Sequence, residues 1–195
     1  MASTAPARLP HLQPSDWIRA GFARLAQEGI HSMSVEALSR DLGVSKGSFY
    51  WHFQDREDLL GKMMSQWEQE ETEWLSAEVD RGSAATRWAK FVEHTAQPQR
   101  VRVEVAIRAW ARRDERVAVI VTSMEKKKTA VIAQILREIG FAPVAAESWS
   151  EVVLLVCLGW VDRAARDGEF QSAGRALSDF LSEMLLAASS PPATR

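Results

Sequence analysis

Residues 34–53 constrain the fold of this chain more than any other stretch. Ser34 stands where a helix N-cap belongs, with Val35, Leu38 and Leu42 spaced for one inward face and Gly43 ending the run. Ser45 caps a second short helix that ends near Phe53, with Phe49 and Phe53 four residues apart on one side. The joint Gly43-Val44-Ser45 has the chemistry of a helix-turn-helix: glycine takes the sharp bend and Val44 packs beneath it. In that motif the second helix enters the DNA major groove N-terminal end first.

The residues at that end suit such a contact. Lys46 supplies a cation, Gly47 lets the backbone approach closely, Ser48 offers a hydroxyl, and the free amides of the helix start can meet a phosphate. With Phe49 and Phe53 turned inward, Tyr50, Trp51 and His52 fan toward the other faces. Exposed aromatics on a short helix call for something to cover them, and DNA offers phosphates for Tyr and His and thymine methyls for an aromatic edge. A plainer reading stands beside this one. Short helix pairs with a glycine turn occur in many helical proteins, and Phe49, Trp51 and Phe53 are core residues by default.

Helical periodicity covers almost all of the remaining chain, and no alternating strand pattern emerges. Ser15 is expected to cap a first helix carrying Ile18, Phe22 and Leu25 and ending near Gly29. Asp55, with Asp58 three residues on, caps a long helix through Leu59, Leu60, Met63, Met64, Trp67, Trp74 and Val79. Further helices are expected over residues 85–96, 99–112, 115–139, 144–167 and 172–188, separated by Pro98, Asp114, Gly140 with Pro143, and Gly168. The expected fold is all-α: an N-terminal three-helix helix-turn-helix domain (15–60) and a larger C-terminal helical domain (61–189), between a disordered arm (1–14) and tail (190–195).

Charge excludes a uniformly basic nucleic-acid binder. The chain carries 24 Lys and Arg against 26 Asp and Glu, and residues 1–62 alone carry seven of each. A groove-reading element nevertheless needs only a few well-placed cations and amides. The single Cys157 lies between Val156 and Leu158; it rules out an internal disulfide and a multi-cysteine metal cluster, and reads as a buried, inert thiol. No apolar leader opens the chain, and the longest apolar run, residues 152–161, is too short to span a bilayer, so a cytoplasmic location is expected. No phosphate loop, nucleophile motif or paired-histidine spacing appears; neither an enzyme nor a cofactor or metal is expected.

The run Leu42-Gly43-Val44-Ser45-Lys46-Gly47-Ser48-Phe49-Tyr50-Trp51-His52-Phe53, followed by Asp55-Arg56-Glu57-Asp58-Leu59-Leu60, resembles the DNA-binding signature of the TetR family of bacterial transcriptional regulators. The likeness covers residues 15–62; beyond it the chain is similar to the family only in being helical and of comparable length. It implies a homodimeric repressor that reads a palindromic operator in double-stranded DNA and is released by a small-molecule effector. By position, Lys46, Gly47, Ser48, Tyr50, Trp51 and His52 would be recognition contacts, and Ser34, Val35 and Arg56 would sit near phosphates. Val35 departs from the hydroxyl residue often found at that position.

The same resemblance implies dimerisation through the last two long helices. Their apolar stripes are Trp149, Val152, Val153, Val156 and Trp160 on one, and Leu177, Phe180, Leu181 and Met184 on the other. From the residues alone these are equally a chain's own core. Trp67, Trp74, Trp88, Phe91, Trp110, Met124 and Phe141 fall in the region that forms the family's ligand cavity, and as a group they point to an apolar or aromatic effector, though each singly reads as core. Arg100, Arg102, Arg108, Arg112, Arg113, Arg116 and Lys126 to Lys128 read as a solvated face balanced by Glu68, Glu70, Glu71, Glu73 and Glu78. The competing function is a helical protein–protein interaction module, which leaves Lys46 to Ser48 and Tyr50 to His52 without a purpose.

Overall fold

The computed structural model describes residues 12–79 and 82–168, with Arg175, Asp179 and Glu183. Among the described residues there are eight α-helices and no strand: α1 (Pro14–Glu28), α2 (Val35–Asp41), α3 (Lys46–Tyr50), α4 (Arg56–Val79), α5 (Ala84–Thr95), α6 (Pro98–Ala111), α7 (Glu115–Glu138) and α8 (Pro143–Asp167). The expected helix at 172–188 lies outside the described residues. The chain divides into two compact units, one up to Ser65 and one from Gln66 onward, and α4 runs through the division.

Local chemistry sets most of the helix ends. Ser34 caps α2 by accepting the Ala37 N–H at 3.1 Å. At the start of α4, Asp55 accepts the Asp58 N–H at 2.9 Å while the Asp58 carboxylate accepts the Gln54 N–H at 3.0 Å, a reciprocal cap reaching one residue further back than usual. One start differs from the sequence expectation. Ser15 lies inside α1, because Pro14 occupies the first helical position and the Asp16 carboxylate reaches back to the Gln13 N–H at 2.8 Å.

In the first unit, Trp17, Leu25, Leu38, Phe49, Phe53, Leu59 and Met63 are buried together with Met33 and Met64. Phe49 is the aromatic hinge of this core: its ring meets Trp17 edge-on at 5.3 Å and stacks on Phe53 at 5.2 Å. α2 and α3 meet across the tight turn at Gly43, whose φ of 68° lies in the left-handed region that glycine occupies without a Cβ clash. α3 is shorter than expected, ending at Tyr50, after which the His52 and Phe53 amides bond back to the Phe49 carbonyl.

In the second unit α7 and α8 pack along each other, with α6 against both. α8 buries Ala146, Ser150, Val153, Leu154, Cys157, Val161 and Ala164. By length and composition alone this helix would pass as a membrane span, with a mean hydropathy of 1.5 over its most apolar window, although its longest charge-free run is short.

Candidate nucleic-acid interface

The helix-turn-helix sorts its side chains as the spacing requires. Phe49 is fully buried, whereas Tyr50 is 59% and Trp51 87% exposed, and His52 is half-buried. Packing Phe49 and Phe53 into the core forces the residues between them outward, because successive residues on a helix turn by about 100°. Lys46 and Gly47 are exposed at the start of α3, and Ser48 is half-buried. Ser34 and Val35, both half-buried, open α2. A cation, an open glycine, a hydroxyl and two large exposed aromatics therefore share one short segment.

The electrostatics hold less free positive charge than the sequence suggests. Lys46 Nζ donates to Glu36 Oε1 at 2.5 Å, with both side chains more than half exposed. The Lys46 ammonium beside it holds the Glu36 carboxyl below the usual glutamate range. Arg24 binds Asp41 at 2.7 Å and Glu28 at 2.8 Å, Arg19 binds Asp16 at 2.8 Å, and Lys62 binds Asp58 at 3.0 Å. Among the described residues of this unit, Arg40 at the end of α2 is the cation left without a carboxylate partner. Neither Glu36 nor Arg40 drew notice in the sequence, since which acid faces which base depends on how α2 and α3 pack.

Arg56 sits at the start of α4, where it does structural work. Its Nε donates to the Met33 carbonyl at 2.5 Å, its Nη2 to the Ile30 carbonyl at 3.2 Å, and its Nη1 to Glu57 at 2.6 Å. Three of the five guanidinium N–H groups are thereby engaged, tying α4 to the segment before α2.

The second unit holds the aromatic residues expected near an effector. Trp67, Trp88, Phe91, Trp110, Met124 and Phe141 are buried and Trp74 is half-buried. Trp74, Trp88 and Phe91 come together, with centroid separations of 6.1 Å from Phe91 to each tryptophan. The structure joins them to something the sequence reading missed. His94 stacks on Trp74 at 3.5 Å and approaches Glu71 at 3.5 Å; Glu71, 3% exposed, also pairs with Arg100 and with Lys128 at 3.5 Å. Lys128 reaches on to Glu104, which binds Arg108 at 3.0 Å, and Arg108 binds Glu125 at 2.5 Å.

This corrects the expectation of a solvated face for Glu71, Arg100, Arg108 and Lys128, which pair within the helical packing, whereas Arg102, Arg112, Arg113, Arg116 and Lys126 are exposed as expected. Burial works to raise the Glu104 pKa, and Lys128 and Arg108 outweigh it, leaving the carboxyl below its usual range. Burial likewise lowers the Arg100 pKa, against the opposing pull of Glu70 and Glu104. One signal was readable in advance: Glu71 follows Met63 and Trp67 and precedes Leu75 at four-residue steps on the buried stripe of α4.

Of the residues expected at a dimer interface, Val152 is exposed, Trp149, Val156 and Trp160 are half-buried, and Val153 is buried within its own chain. Val153 is thus committed to the core of the second unit. Leu155 and Val144 are exposed on α8 and were not anticipated. Leu177, Phe180, Leu181 and Met184 lie outside the described residues.

A second helix that projects polar and aromatic side chains from a helix-turn-helix is the form of a groove-reading element. Residues 18–63 match the family described as bacterial regulatory proteins, tetR family. The match is confined to this N-terminal unit, which is similar to the DNA-binding part of that family. The segment is 36% identical over 47 residues to the HTH-type transcriptional regulator AcrR of Shigella flexneri, covering 24% of this chain and 20% of that protein. It is 36% identical over 52 residues to the HTH-type transcriptional repressor Rv1353c of Mycobacterium tuberculosis, covering 27% and 20%. The match thus spans about a fifth of the length of these curated relatives. Whole-chain likeness is structural: a transcriptional regulator from Rhodococcus superposes with a TM-score of 0.73 at 20% identity, covering 93% of this chain and 100% of that one. A putative regulator from Saccharomonospora viridis, solved in complex with choline, gives 0.74 at 15% identity, covering 87% and 95%. At such identities these neighbours establish the all-helical fold.

Proposed function

We propose that this protein is a DNA-binding transcriptional regulator, a repressor that binds a palindromic operator as a homodimer and responds to a small molecule. The observation that carries the reading is the outward display of Lys46, Tyr50 and Trp51 from a helix whose Phe49 anchors it in the core of a tetR-family unit. Lys46, Gly47, Ser48, Tyr50, Trp51 and His52 make the groove contacts, and Ser34 and Val35 lie near phosphates at the start of α2. Arg56 acts first as a clamp on the motif and contributes to the backbone contact with its remaining donors.

Homodimerisation uses the exposed face of α8, where Val144, Val152 and Leu155 present apolar surface beside Trp149, Val156 and Trp160. α8 works as a core and interface helix rather than a membrane span, a reading supported by its packing against α6 and α7, and the protein acts in the cytoplasm without catalysis. The effector has an apolar or aromatic body suited to Trp74, Trp88 and Phe91, and the charged groups beside them favour a polar substituent. That a structural neighbour holds choline supports a small-molecule role for this kind of helical unit.

The test is selection of duplexes from a random pool, followed by fluorescence anisotropy on the enriched and scrambled DNA. Enrichment of a two-fold-symmetric site, with affinity reduced by about 1–3 kcal/mol in Tyr50→Ala or Lys46→Ala, is the expected result. No enrichment, or full affinity in both folded variants, overturns the reading.

A further inference from the structure

The Lys46–Glu36 pair joins the first turn of α3 to the first turn of α2, on exposed side chains of the helix-turn-helix. An ion pair so open to water adds little to stability, because solvent screens it and two long side chains must be ordered to make it. Its consequence is electrostatic. Arg19, Arg24 and Lys62 are also paired with carboxylates in this unit, but their partners are not joined to the recognition segment. Glu36 is bonded directly to a residue of α3.

We propose that Glu36 is a specificity-determining residue: it competes with DNA phosphate for Lys46, so that DNA of any sequence gains less from this cation than an unpaired lysine would give. The inference rests on the DNA-binding reading above. Sequence-independent binding draws on Lys and Arg displacing counterions from phosphates, and a lysine that must first leave a carboxylate contributes less of this attraction. On a cognate site the base contacts of the neighbouring side chains offset the exchange; on unrelated DNA nothing does. Glu36 thereby widens the gap between the two by weakening the unrelated one.

The experiment compares the wild-type protein, Glu36→Gln, Lys46→Met, the double variant and Glu28→Gln on enriched and scrambled duplexes across a salt series. Circular dichroism melts confirm that each variant folds. Glu36→Gln is expected to bind scrambled DNA about two- to fivefold tighter near physiological salt. Its salt slope should steepen by roughly 0.9, as for one more phosphate contact, and its preference for the enriched site should fall. The gain should vanish in the Lys46→Met background. Glu28→Gln, which removes the same charge from the Arg24 pair away from α3, should leave binding as in the wild type. Unchanged or weaker binding of scrambled DNA by Glu36→Gln, a gain that persists without Lys46, or an equal gain in Glu28→Gln overturns the inference while the regulator reading stands. If the wild type binds neither duplex even at low salt, the regulator reading itself fails and takes the inference with it.

Discussion

Phe49 and Trp51 are two residues apart on the same short segment, and the structure assigns them opposite jobs. Phe49 is fully buried, in contact distance of the Trp17 and Phe53 rings, whereas Trp51 is 87% exposed. Truncating a buried Phe to Ala costs about 3–5 kcal/mol through lost transfer free energy and the cavity left behind. Each lost aromatic pair is worth roughly 0.5–1.5 kcal/mol beyond area, and the collapse of neighbouring side chains returns part of that. Against a typical total stability of about 5–15 kcal/mol, Phe49→Ala should leave the first unit close to unfolding at 37 °C. Trp51→Ala removes almost no buried area and should change stability by less than about 0.5 kcal/mol. Its effect should appear on DNA, as a loss of about 1–3 kcal/mol on the enriched site. Urea unfolding followed by circular dichroism separates the two, and anisotropy completes the comparison. Wild-type stability in Phe49→Ala, or a loss of folding stability above about 1 kcal/mol in Trp51→Ala, would refute the assignment of faces on which the interface rests.

Other outcomes follow from the second unit. Cys157 is buried and its thiol pKa is pushed up to about 12, so it should resist a disulfide reagent at pH 8 until denaturant is added; rapid native labelling would contradict its burial. Glu104 has a depressed pKa, so the stability it contributes is fully present above the ordinary glutamate range and is lost as pH falls through its lowered folded value. Glu104→Gln should therefore flatten the acid side of the melting-temperature profile, and an unaltered profile would show that the buried pairing is not what acid disrupts. Leu155→Lys, at a site 66% exposed, should leave helicity intact but shift sedimentation from dimer to the 21.8 kDa monomer; a wild type that is already monomeric at micromolar concentration would remove the dimer proposal.

What could be read from the residues was whatever depends on near neighbours in the chain. Ser34 caps α2, Asp55 and Asp58 cap α4, and Gly43 takes the turn, because each of these uses hydrogen bonds or dihedral preferences confined to a few residues. The inward and outward faces of the helix-turn-helix followed from helical periodicity alone. Even there, Ser15 lost the first cap to Gln13 and Asp16, since Pro14 is the better first helical residue.

The rest was decided by which helices meet. Val152, Val153 and Leu155 are chemically alike, yet only Val153 turns toward α8's own unit, so packing separated core from exposed face. Arg56 became a clamp because folding carried the Ile30 and Met33 carbonyls, more than twenty residues away, to its guanidinium. The partners of Glu71 are likewise distant: Arg100 and Lys128 come from α6 and α7. A buried carboxylate needs such partners to offset its desolvation, and no local pattern says which cations will arrive. Capping and periodicity are short-range and are written in the order of residues; the charge left free at a surface and the pairs hidden inside depend on long-range contacts, which exist only once the helices have packed.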